Sequence, residues 1–178
     1  MSSQPLAIQD SDWIHYSLSN NSLGLLLLAY SQRGVCHLSM GDQAPRLEAQ
    51  LLHKHPQAQR LEKDPELIKL LELTNTFIES PEEDLDLPLD LHGTPFQMQV
   101  WQALQNIPIG TTTTYAVIAH RLNSPLAVRA VASACAANPV ALVVPCHRVI
   151  TSHGTLSGYR WGVERKAELL RRELALPE

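Results

Sequence analysis

Hydrophobic and polar positions change their rhythm along this chain. Over residues 13–18 (WIHYSL) they alternate, as in a strand with one buried face. Asn20, Asn21 and Ser22 form a turn signal, and residues 23–30 read as a second strand. Arg33-Gly34 marks another turn, and residues 35–40 read as a third strand closed by Gly41-Asp42. Three strands on short turns predict an antiparallel meander. The rhythm then becomes helical. Residues 46–53 follow Pro45 as one helix candidate. Asp64-Pro65-Glu66 opens a stronger one, in which Leu67, Ile68, Leu70, Leu71, Leu73 and Phe77 recur at helical spacing. Residues 79–90 are acidic, are broken by Pro81 and Pro88, and read as a linker. That divides the chain into residues 1–90 and 91–178.

The second half is mostly helical in pattern. Thr94 caps a helix opened by Pro95, with Phe96, Val100, Trp101 and Leu104 on one face and Pro108-Ile109-Gly110 ending it. Residues 111–114 are polar and β-branched, fit for a short strand or a helix lead-in. Residues 115–122 predict a short helix and Asn123-Ser124-Pro125 a turn, with Pro125 at the start of the next helix, 126–137 (LAVRAVASACAA). Two short helices on a tight turn match a helix-turn-helix outline. The second is unusual, because alanines dominate it and Arg129 is its only charge. A helix that reads bases in the major groove carries several long polar side chains. Short side chains instead suit close approach to a narrow groove, with one arginine projecting into it. An alanine-rich packing helix with one surface arginine has the same composition. Asn138-Pro139 stops this helix, and the apolar run 140–144 follows. Residues 152–154 form a turn and 156–159 a loop. After Gly162 a last helix, 163–174, is rich in Arg and Glu. No internal repeat and no phosphate-cradling glycine loop is evident.

Composition narrows the picture. With 178 residues and 44% hydrophobic content, one large or two small domains can form a core. No apolar stretch is long enough to span a bilayer, and the polar, loose first residues lack the pattern of a signal peptide. Three cysteines cannot complete a disulfide set and fit a reducing cytoplasm. Cys36-His37 is half of a metal-site pattern, but no second pair lies at ligand spacing, so no metal is expected. His53 and His55 read as surface residues. The net charge of −4 hides a split of −8 in residues 1–90 and +4 in residues 91–178. Seven of the eight basic residues in the second half are Arg, the side chain suited to phosphate. The split fits an anionic partner for the second half, or simply two solvated surfaces.

The chemistry gathers at Pro145-Cys146-His147-Arg148-Val149-Ile150. Pro145 ends the apolar run, and Cys146 follows with an imidazole beside it in sequence. A thiol becomes a strong nucleophile as thiolate, which a neighbouring base or cation promotes. A small buried hydrophobe is the alternative role for Cys146.

These residues resemble the O6-alkylguanine-DNA alkyltransferases, the methylated-DNA–protein-cysteine methyltransferases. The resemblance rests on Pro145-Cys146-His147-Arg148-Val149, joined by Tyr115, Arg129 within Val128-Arg129-Ala130-Val131, Asn138-Pro139 and Glu173. Residues 127–138 and 156–173 are similar to the bacterial adaptive-response members. It implies an α+β fold: an N-terminal ribonuclease-H-like antiparallel sheet domain, then a C-terminal, mostly helical winged helix-turn-helix domain. The implied reaction is irreversible transfer of an alkyl group from O6 of guanine, with O4 of methylthymine as a further candidate, to Cys146, one molecule per lesion and without a cofactor. The implied catalytic residues are Cys146, the base His147, its orienting carboxylate Glu173, the donor Tyr115, and Asn138. Arg129, Tyr115, Ala130, Ser133 and Ala134 would meet DNA, with Arg129 filling the stack vacated by the flipped nucleotide. Val149, Tyr159, Arg160 and Cys135 would line the base pocket. The implied partner is double-stranded DNA carrying the lesion, bound through the minor groove by a cytoplasmic monomer, with no membrane and no obligate protein partner. Bulky Arg160 and Trp161 stand where some relatives have small residues, which implies a pocket narrowed against large O6 substituents. Three other readings remain: a non-catalytic lesion sensor that recruits repair proteins, against which Cys146 speaks; a cysteine hydrolase; and a plain helix-turn-helix regulator.

Overall fold

The computed structural model describes residues 12–156 and 158–174, so residues 1–11, Ser157 of the 156–159 loop and residues 175–178 lie outside it. The meander forms as the alternation predicts. β1 (Ile14–Asn21), β2 (Gly24–Ser31) and β3 (Gly34–Gly41) pair antiparallel, with a register shift at Ala29/Tyr30. β2 lies in the middle and is covered on both faces, which is why its sequence is a run of leucines rather than an alternation. Leu26 and Leu28 face the large core; Leu27 and Ala29 face a smaller cluster closed by Leu47 and Leu51 of α1 (Ala44–Lys54). A two-residue strand, β4 (Gln59–Arg60), adds parallel to β1 and completes the order β3-β2-β1-β4. Both of its residues are exposed, so no hydrophobic pattern announces it. In α2 (Pro65–Glu79) the Asp64 carboxylate accepts from the Glu66 and Leu67 amides, the capping that Asp-Pro-Glu foretells.

The acidic segment expected as a linker is tied to the sheet. The Val35 amide donates to the Pro88 carbonyl at 2.7 Å, and the Asp90 amide donates to Val35 at 2.9 Å. Gly34 permits this approach: at φ +150° a Cβ there would meet the Pro88 oxygen at 2.6 Å. Leu87 is buried beneath.

α3 (Pro95–Gln105) opens with a full capping box between Thr94 and Gln97, and buries Val100, Trp101 and Leu104. The 111–114 run does both things its pattern allows. β5 (Thr113–Thr114) is a short strand, and Thr114 then caps α4 (Tyr115–Arg121). α5 (Val128–Ala136) begins later than Pro125 suggests. Residues 124–127 form a turn closed by the Ala127 amide on the Ser124 carbonyl, and Ala127 is the residue ahead of the helix. The Trp101 indole donates to the Ala134 carbonyl at 2.8 Å and fixes α3 against α5.

The apolar run 140–144 is buried but is a series of turns, with Leu142 in the left-handed region at φ +71°. It joins β3 through Leu38, which donates to Pro139 at 2.9 Å and accepts from Ala141 at 3.0 Å. A 3-10 turn (Cys146–Arg148) and β6 (Val149–Ile150), parallel to β5, follow; α6 (Val163–Leu174) packs on that turn. The described residues thus form a mixed α+β fold with one four-stranded sheet and six helices. One continuous core joins Leu26, Leu38 and Phe77 to Trp101, Val131 and Leu169. Among the described residues no helix is long and apolar enough to cross a membrane.

Candidate active site

Pro145 and the turns before it place Cys146 in the interior, 5% exposed. Asn138 secures this arrangement. Its Nδ2 donates to the Val144 carbonyl at 2.8 Å and to Cys146 Sγ at 3.3 Å, while its Oδ1 accepts from the Val140 amide at 3.0 Å. One buried amide therefore shapes the turn and supports the sulfur. Burial pushes the Cys146 thiol up to about 11, against the pull of the Asn138 hydrogen bond and the nearby Lys166 and Arg160 cations. Burial thus favours the protonated thiol over the thiolate.

His147 follows Cys146 in the chain. Its ring is fully buried and its Nε2 lies 2.7 Å from Glu173 Oε1. Burial lowers its basicity, and the Glu173 bond and charge oppose that. Burial alone would raise the Glu173 carboxyl, but the bonds and charges of His147 and Arg148 outweigh it and hold it at about 2. An ionised Glu173 accepts the Nε2 proton, which leaves Nδ1 as the basic nitrogen. Nδ1 has no hydrogen-bond partner among the described residues. The neighbouring arginines do not take Glu173, since Arg171 and Arg172 pair with Glu168 instead.

Two contributors were not expected from the sequence. Arg148 is 2% exposed and forks onto Glu173, Nε to Oε2 at 3.0 Å and Nη2 to Oε1 at 3.0 Å. Its Nη1 reaches Asp84 Oδ1 and the Ile107 carbonyl, each at 2.7 Å. Lys166 is fully buried on α6, seven residues before Glu173, and its charge acts on Cys146 and Cys135. Residues seven apart share one helix face. The apolar 3.6-residue pattern hid both, because long cations on a helix or turn usually face water. The one available signal is two turns' spacing between Lys166 and Glu173.

The remaining expected residues fall around this centre. Val149 is buried and its amide donates to the Cys146 carbonyl. Tyr159 packs edge-on to Trp161 with centroids 5.2 Å apart, its hydroxyl buried without a partner among the described residues. Arg160 donates to the Asn138 carbonyl at 3.0 Å and lies over the Trp161 ring. Cys135 is buried in α5, and burial pushes its thiol up to about 12. Tyr115 begins α4 and is partly exposed. Arg129, Ala130 and Ser133 are exposed on α5, and Arg129 makes no hydrogen bond or ion pair to the described residues. Ala134 departs from expectation: it is 2% exposed and faces the core, where its carbonyl serves Trp101. No group of three metal-ligating side chains occurs among the described residues.

The site thus sets a buried thiol, next in the chain to an imidazole that rests on a carboxylate, beside two short helices packed together, α4 and α5. Residues 95–175 match the family model for the DNA-binding domain of 6-O-methylguanine DNA methyltransferase. The chain is 47% identical over 160 residues to the bifunctional transcriptional activator and DNA repair enzyme Ada of Escherichia coli, covering 90% of this chain and 45% of that protein. It thus spans about half the length of the Ada relatives it matches. It is 38% identical over 157 residues to the methylated-DNA–protein-cysteine methyltransferase of Mycolicibacterium paratuberculosis, covering 88% of this chain and 90% of that protein. The crystal structure of Mycobacterium tuberculosis OGT in complex with DNA superposes with a TM-score of 0.76 at 36% identity, over 90% of this chain and 93% of that one. The chain belongs to the methylated-DNA–protein-cysteine methyltransferase family.

Proposed function

We propose that this protein repairs DNA by moving an alkyl group from O6 of guanine to its own Cys146. The observation that carries the reading is the buried His147–Glu173 pair next in the chain to the buried Cys146, on a chain whose relatives are named for this activity. In the reaction the sulfur attacks the alkyl carbon, forming a C–S bond as the C–O6 bond breaks with its electron pair going to guanine. The thiol proton passes through a water to His147, and the imidazolium that forms is stabilised by the Glu173 carboxylate. Guanine takes up a proton as it leaves, with the Tyr115 hydroxyl as the donor beside it. A thioether is a poor leaving group, so each molecule acts once.

The target atom lies inside the duplex stack, so the nucleotide must flip out to reach a buried thiol. Arg129 fills the gap, and Ala130 and Ser133 let α5 approach the minor groove closely. Val149, Tyr159, Arg160 and Cys135 line the base pocket. On this reading residues 1–90 form a ribonuclease-H-like supporting domain and residues 91–178 a winged helix-turn-helix domain, and the protein works as a cytoplasmic monomer. Intact mass after incubation with a duplex holding one O6-methylguanine tests it. The expected result is one added methylene on Cys146 and no more than one per protein. Tight lesion binding without a mass change would favour the non-catalytic sensor.

A further inference from the structure

Leu126 is 99% exposed, far more than any other large apolar side chain among the described residues. It is held there by a rigid turn. The Leu122, Asn123 and Ser124 amides donate to Ile118, His120 and Ala119, the Ala127 amide donates to Ser124, and Asn123 takes φ +56°. Pro125 restricts the backbone just before it. The chain therefore presents a leucine to solvent in a fixed place, three residues ahead of Arg129, where it packs on nothing of its own.

Its surroundings say what covers it. The exposed face of α5 carries Ala130 and Ser133, side chains too short to hold a partner at a distance. A duplex close enough to admit Arg129 comes within reach of a leucine that stands free two residues ahead of the same helix. Val128, which opens that helix, is also partly exposed, so the edge is apolar rather than charged. Phosphates would be matched by a cation at this position; an apolar side chain matches the C–H faces of deoxyribose that line a minor groove.

We propose that Leu126 is a DNA-contact residue, packing against the sugar edge of the minor groove beside the site entered by Arg129. This rests on the DNA-repair reading above. Because the contact is apolar, its contribution to affinity is independent of salt, unlike that of Arg129.

The test is fluorescence anisotropy with a duplex carrying O6-methylguanine, at several salt concentrations, for the wild type, Leu126→Ala, Leu126→Lys and Arg129→Ala. Thermal melting of each variant confirms folding, which an exposed side chain does not support. Leu126→Ala is expected to weaken binding about tenfold, the size of a partly buried leucine, with an unchanged slope of log affinity against log salt. Leu126→Lys is expected to recover part of that affinity with a slope steeper by about 0.9. A Leu126→Ala affinity within twofold of wild type, while the wild type binds, overturns the contact and leaves the repair reading intact. No binding by the wild type overturns both. A wild-type dimer in sedimentation that Leu126→Ala dissociates overturns the contact in favour of a second copy on this edge.

Discussion

Replacing Arg148 with methionine tests how the site is held together. The guanidinium is almost wholly buried and satisfies both oxygens of Glu173, one oxygen of Asp84 and the Ile107 carbonyl. The Asp84 pair is half exposed at the carboxylate and contributes little. The Glu173 pair is different, because removing one partner leaves a buried carboxylate with His147 alone. Breaking a buried pair in this way costs about 3–5 kcal/mol. With a urea slope of about 2 kcal/mol/M, the unfolding midpoint falls by about 2 M. Adding Glu173→Gln removes the stranded charge, so the double variant is expected to be more stable than the sum of the singles by about 1–3 kcal/mol. The chemistry should shift as well. The Arg148 charge disfavours the imidazolium, so its loss makes His147 more basic. A protonated His147 cannot accept the thiol proton. The acid side of the pH profile of single-turnover transfer from methylated duplex should therefore move to higher pH. A folded Arg148→Met variant within 1 kcal/mol of wild type, with an unchanged pH profile of transfer, would refute the reasoning.

Asn138→Ala strands the Val144 carbonyl and the Val140 amide in the interior; a loss of about 3 kcal/mol is expected in chemical denaturation, and a loss below 1 kcal/mol would remove Asn138 from the framework of the site. Glu173 titrates at about 2 in the fold against 4.5 when free, so as pH falls the unfolded chain takes up the proton first. Its stabilisation of about 3 kcal/mol is complete above pH 4.5 and drains away towards pH 2, and burial of neutral His147 adds to the loss below pH 6.5. Urea midpoints measured from pH 7 to pH 3 should decline steadily, and a flat profile would contradict the pairing. Trp161 is buried against Tyr159, so free O6-benzylguanine should inactivate the protein slowly; rapid inactivation at low concentration would show that the pocket admits a benzyl group.

Much of the fold is legible in the sequence where a local pattern has one structural solution. The turns at Asn20-Asn21-Ser22 and Arg33-Gly34, the Asp64 cap and the Thr94 cap each fix an element boundary, and the structure follows them. His147 and Glu173 meet, next in the chain to Cys146, although Glu173 has no local feature that separates it from a surface carboxylate. Features set by distant contacts were less visible. The run 140–144 is as apolar as a strand, yet its hydrogen bonds go to β3 and to itself through a left-handed Leu142. Residues 79–90 look like a free linker in charge and proline content, because the backbone pairing with Val35 leaves no trace in side-chain chemistry. Ala134 and Ala130 are alike in sequence, and only the packing of Trp101 on α5 separates the buried one from the exposed one.

The three contacts that Arg148 makes reach 25, 41 and 64 positions along the chain, to Glu173, Ile107 and Asp84. Such contacts are closed late in folding, since each must first overcome the entropy of its loop. On the proposed mechanism the base would then be unaligned until those loops close, and a nucleophile that can be used only once would be armed last.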